Sequence, residues 1–83
     1  MSKYQTPKGR IFESEISRYM IQRRIGSKEE LRTLTTIGSC HTMSKYMDDP
    51  TLIPVGKLSE MFRALRIPKD EQIRIMSKIM GES

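Results

Sequence analysis

Ser39, Cys40, His41 and Thr42 stand in a row, with Ser44 and Lys45 close behind. Short polar side chains and one cation gather where a helix would begin. Such a helix end can approach the edges of nucleic-acid bases closely. Serine hydrogen-bonds to several bases, lysine reaches guanine acceptors or a phosphate, and threonine can contact a thymine methyl. His41 is the single histidine; it either donates to a base or phosphate or is a solvated surface residue. Cys40 is the single cysteine. A thiol at a helix start is open to redox chemistry, but a small side chain tolerated near a groove is the simpler reading. Ser39 can bond a phosphate as well as cap its helix. Lys28 and Arg32 precede the row and suit phosphate contacts from a helix crossing the DNA backbone, although Glu29 and Glu30 offer local partners.

The elements that must position these residues are helical. Ser27-Lys28-Glu29-Glu30 has the form of a capping box, with Ser27 as N-cap. Leu31, Leu34 and Ile37 follow at spacings of three, and Gly38 is expected to end that helix. Ser39 caps the next one, in which Met43, Tyr46 and Met47 share a face. Asp48-Asp49-Pro50 stops it, because the residue before proline is pushed out of helical geometry.

Three more helices flank this pair. The first is expected from about Ile11 to Ile25, with Phe12, Ile16, Tyr19 and Met20 on one face. Arg23 and Arg24 suit the dipole of its last turn, and Gly26 is a plausible stop. A connector over 51–54 anchors through Leu52 and Ile53. A fourth helix carries Val55, Leu58, Met61, Phe62 and Leu65. A fifth, with Pro68, Asp70 and Glu71 at its start, carries Ile73, Met76, Ile79 and Met80. No strand is expected. The fold class is therefore all-α, a compact five-helix domain over residues 11–83, preceded by a flexible basic arm over 1–10. Lys3, Lys8 and Arg10 of that arm either follow a groove or form a disordered tail. The last helix, about 69–80, offers an apolar stripe for a second copy of the chain.

Size and charge narrow the function. At 83 residues the chain makes one small domain. One cysteine and one histidine allow neither an internal disulfide nor a four-ligand zinc site. A lone thiol, no membrane-length apolar run and no secretory pattern point to the cytoplasm, with the nucleoid as the bound location. Net charge is +5, and it is unevenly spread. Residues 1–10 hold three cations and no acid, residues 11–47 hold a smaller excess, and residues 48–83 balance. A basic half is expected where one face meets a polyanion. No Gly-rich phosphate loop, metal-ligand spacing or His–carboxylate pairing stands out, so neither an enzyme nor a cofactor is expected.

The order of these features resembles the Cro/C1-type (lambda repressor-like) helix-turn-helix regulators of phages and prophages. The resemblance runs over roughly residues 11–72 and rests on Ile37-Gly38-Ser39, Thr42-Met43-Ser44-Lys45, Asp49-Pro50 and Ile67-Pro68. Members usually place a serine two positions after the turn glycine, whereas Ser39 follows Gly38 directly. With Gly38 in the glycine position, Ser44 falls where an apolar residue belongs. With Met43 and Tyr46 in the apolar positions, Ile37 falls on the glycine position; this register keeps the apolar face and is preferred. The resemblance implies a sequence-specific double-stranded DNA-binding regulator that acts as a homodimer by occupying an operator. Its DNA contacts would come from Lys28, Arg32, Ser39, Cys40, His41, Thr42, Ser44 and Lys45. A small helical interaction or adaptor module of a phage or mobile element is the competing expectation.

Overall fold

The computed structural model describes residues 5–80. Five α-helices follow one another: α1 Pro7–Gln22, α2 Lys28–Thr33, α3 Cys40–Asp48, α4 Val55–Ala64 and α5 Lys69–Met80, with a 3₁₀ turn at Pro50–Leu52 between α3 and α4. The described residues contain no strand. The all-α architecture is the one the apolar periodicities predict.

The longest helix, α1, packs against both α3 and α5. Phe12 and Ile16 on its inner face are fully buried, and Tyr19 and Met20 nearly so. Leu31, Ile37, Met43, Met47, Met61, Leu65 and Ile75 close around them. Among the described residues the buried set contains no polar or charged side chain. Polarity is confined to the surface and to helix ends, where backbone groups need partners.

The start of α1 corrects the expected arm. Thr6 is its N-cap, accepting from the Gly9 N–H at 2.9 Å, and Pro7 occupies the first turn. Lys8 and Arg10 therefore lie on a helix and not on a flexible segment; Lys3 lies outside the described residues. The helix starts this early because tertiary contacts hold it. Thr6 N–H and Thr6 Oγ1 both donate to the Asp48 carbonyl at 2.9 Å. Gly9 is buried against the same carbonyl, where a Cβ would sit 2.7 Å from Met47 O and closer still to Asp48 O. The first turn of α1 thus clasps the last turn of α3.

Both α1 and α4 end in the same way. Arg24 and Arg66 adopt left-handed backbone (φ 59° and 54°) just past each helix. Behind them, Ile25 N–H donates to Met20 O at 2.9 Å and Ile67 N–H to Phe62 O at 3.0 Å. Arg24 N–H and Arg66 N–H donate to Ile21 O and Arg63 O. These are Schellman caps, with a buried isoleucine as the hydrophobic lock. The left-handed residue is Arg24, so α1 ends three residues before the expected Ile25, and Gly26 is not the stop. Arg23 ties the two ends together, its guanidinium donating to Leu65 O at 3.0 Å and Arg66 O at 3.4 Å.

Three apolar faces turn out narrower than their spacing predicts. α2 stops at Thr33, leaving Leu34 exposed and Gly38 in ordinary negative-φ backbone. Val55 is three-quarters exposed at the start of α4. On α5 the inward row is Ile75 and Ile79 with Met76 beside them, while Ile73 and Met80 face out. The stripe on α5 therefore has α1 as its partner. Gln72 fixes the helix rotation by donating to Ile67 O at 2.8 Å.

Candidate nucleic-acid interface

α3 is capped by Ser39, whose extended backbone (φ −155°, ψ 159°) lets its Oγ accept from Thr42 N–H at 3.2 Å. Met43 and Met47 anchor the helix to the core, and Tyr46 is half-buried beside them. A single buried seam leaves the other side to solvent. Cys40, His41, Ser44 and Lys45 are all exposed. Cys40–Ser44 and His41–Lys45 are i, i+4 pairs, so the four form two adjacent ridges. Thr42 is half-buried and turned back, its Oγ1 lying 3.1 Å from Ser39 Oγ. His41 and Lys45 have no hydrogen-bond or ion-pair partner among the described residues. The structure therefore brings Ser39, Cys40, His41, Ser44 and Lys45 to one solvent-facing edge and sets Thr42 aside.

Lys28 and Arg32 do not join that edge as free cations. Lys28 pairs with Glu13 of α1. Glu13 is held below its ordinary value: partial burial opposes ionisation, but hydrogen bonds from Lys28 and Gln5 outweigh it. Arg32 grips Glu29, its Nε 2.9 Å from Oε1, and its Nη1 donates to Ile37 O at 3.1 Å. The hydrogen bond from Arg32 lowers the Glu29 carboxyl and raises the guanidinium in turn. Arg32 is thus a fastener of the segment between the helices.

That segment spans Leu34–Ser39, longer than the three or four residues usual between such helices. Its length is compensated by fixation. Thr35 Oγ1 donates to Arg32 O at 2.8 Å and accepts from Ile37 N–H at 3.2 Å. Thr36 N–H and Oγ1 donate to the Glu60 carboxylate of α4 at 2.6 and 2.8 Å. Those bonds, the backbone N–H foremost, lower the Glu60 carboxyl. Lys57 Nζ donates to Thr36 O at 3.2 Å. Ile37 is buried at the centre. Thr36, Lys57 and Glu60 carry no signal in the sequence, because their pairing spans more than twenty residues and follows no local rule.

Among the described residues, no group of three His, Cys, Asp or Glu side chains could hold a metal ion. No described helix is long and apolar enough to cross a membrane. The chain matches no family model, and no curated protein or solved structure matches it.

Proposed function

We propose that the protein binds double-stranded DNA sequence-specifically, with α2, the fixed segment and α3 acting as a helix-turn-helix of Cro/C1 type. It would serve as a phage or prophage transcription regulator that acts by occupying its operator. The observation that carries this reading is the division of α3. Met43 and Met47 seat it, and an exposed edge of short side chains ending in Lys45 faces solvent. Such an edge fits a major groove without steric conflict. Ser39, Cys40 and Ser44 are the close-approach positions, His41 and Lys45 the donors. Lys28 and Arg32 act in this scheme by holding α2 and the turn in place.

The reading takes a homodimer as the operating form. The domain measures 32 × 30 × 22 Å. The reading requires the pair to hold its two α3 helices roughly 34–36 Å apart, the half-site spacing of symmetric readers. Val55, Met80 and Leu52, each more than half exposed, supply apolar surface for the pairing. Val55 and Met80 line one shallow apolar groove with Ile53, Leu58 and Met76. Val55→Lys with Met80→Lys is expected to shift sedimentation from dimer to monomer while Tm stays within a few degrees. A wild-type chain that sediments as a monomer at micromolar concentration, yet captures a helical peptide through this groove, favours the adaptor reading.

Selection from a randomised duplex pool tests the DNA reading. The expected result is an enriched pseudo-palindrome. His41→Ala and Lys45→Ala are each expected to weaken binding to it about tenfold, the value of one base contact. Retention of duplex with no enriched motif contradicts sequence reading by α3.

A further inference from the structure

We infer that the junction of α1, α4 and α5 carries a second, sequence-independent contact surface for the phosphate backbone of duplex nucleic acid, centred on Arg24, Arg66 and Lys69. This surface lies away from the α3 edge. Lys57, near the start of α4, bonds Thr36 just before α3, whereas Arg66 lies past the other end of α4. Two shallow clefts meet there. Arg24 and Arg66 line one; Arg63, Arg66 and Lys69 line the other. Arg66 is common to both.

The backbone under the two arginines singles them out. A left-handed residue past a helix is ordinarily glycine, because a Cβ is strained there. Here two separate helices place arginine in that position. Neither guanidinium makes a hydrogen bond or ion pair among the described residues, and the Lys69 ammonium makes none either. At the end of α4, helix-dipole compensation does not require Arg66, since Arg23 already serves the carbonyls there. The Schellman bonds and the buried isoleucines hold this backbone, but none of them needs an arginine side chain, and that points to a side chain needed outside the molecule.

The cations outnumber the nearby acids. Glu30 lines the Arg24–Arg66 cleft and accepts from Gly26 N–H at 2.9 Å, Glu60 is held by Thr36, and Asp70 stands beside Lys69 in the first turn of α5, where a carboxylate suits the helix dipole. The surface is therefore cationic, open and without a deep pocket. A phosphate backbone offers charge continuously and needs no pocket. An acidic peptide would want an apolar anchor at the centre; Phe62 and Ile67 under one cleft are buried, and Leu34 is the large apolar side chain exposed in the other, so polyglutamate is the competitor to test.

This inference stands apart from the α3 reading and fails separately from it. The test is R24G/R66G in the full chain, titrated onto a random-sequence duplex over a range of salt. Glycine suits both backbone positions, so Tm is expected to hold or rise, and weakened binding cannot be laid to unfolding. Binding is expected to fall roughly tenfold or more at low salt. The slope of log K against log salt should drop by about two, one for each phosphate no longer neutralised. H41A/K45A should lose the selected motif yet keep most of the random-duplex affinity. An unchanged slope and affinity in R24G/R66G overturns the inference. So does polyglutamate bound as tightly as duplex with the same arginine dependence, which would assign the surface to acidic polypeptides.

Discussion

Replacing Gly9 with alanine is expected to destabilise the fold by about 3 kcal/mol, against local helix propensity. Alanine inside a helix is favoured over glycine by ~1 kcal/mol, so a sequence-level argument predicts a gain. Tertiary packing reverses the sign. A Cβ at Gly9 would overlap the Asp48 carbonyl and stand 2.7 Å from Met47 O. Both atoms are backbone of α3 and cannot rotate away. Relief requires α1 to lift, which breaks the two Thr6 hydrogen bonds to Asp48 O. Overpacking typically costs about 1–3 kcal/mol and each broken bond ~1 kcal/mol. For a domain of this size the drop in Tm should be roughly 10–20 °C. Gly56→Ala is the control. Gly56 lies in α4 with nothing within 4 Å of its Cβ position and no positive φ, so alanine there should raise stability by ~1 kcal/mol. Urea unfolding of both variants decides the matter; a stable Gly9→Ala would mean that α1 does not approach α3 as described.

Protonation of Glu15 is the second large effect. Its side chain is 13 % exposed and receives Arg74 through two hydrogen bonds at 3.0 Å, together with Arg18 at 2.9 Å and Lys78 at 3.4 Å. The Arg74 guanidinium, more than any other group, holds the carboxyl down to about 2 against an ordinary 4.5, even though partial burial opposes ionisation. Because the folded value is the lower one, the stabilisation is fully present above pH ~4.5 and is lost as pH falls from there toward 2. Full conversion of that lowering would give ~3 kcal/mol. Arg18, Arg74 and Lys78 reach solvent, so about 2 kcal/mol is expected. Glu15→Gln should cost that amount at pH 7 and nearly nothing at pH 2. Denaturant midpoints of wild type and variant should therefore converge on acidification. Parallel curves would show that the cluster contributes nothing linked to Glu15.

What could be read in advance divides along physical lines. Ser27 and Ser39 cap their helices as expected, because capping is a contact between residues three apart. The stripe from Phe12 to Met20 is legible for the same reason, since one helix face decides it. Leu34 and Ile73 mislead because each belongs to a periodic row that competes with another. Tertiary bonds choose between the rows: Arg32 and Thr36 pull the chain out of helix after Thr33, and Gln72 rotates α5 so that Ile75 enters the core. Gly9 sits among polar and basic residues and reads as part of a tail, because its partner is nearly forty residues away. In the candidate interface the exposed edge of α3 follows from the spacing of Met43 and Met47. The diversion of Lys28 to Glu13 and of Arg32 to Ile37 O does not, because both depend on how α1 and the turn fold back. The arginines at 24 and 66 do share a local signal: each precedes an isoleucine that closes a helix end.

The seating of α3 fixes the way it is presented. At its far end the Asp48 carbonyl is bolted to Thr6 and pressed by Gly9. At its near end the preceding segment is pinned to α4 through Thr36. Between these fixed points the helix rests on Met43 and Met47. A rod held at both ends, with its last turn pressed against Gly9, neither slides nor rolls. The Cys40–Ser44 and His41–Lys45 ridges, about 100° apart around the axis, are therefore offered in one fixed orientation, and any surface that α3 meets must come to it.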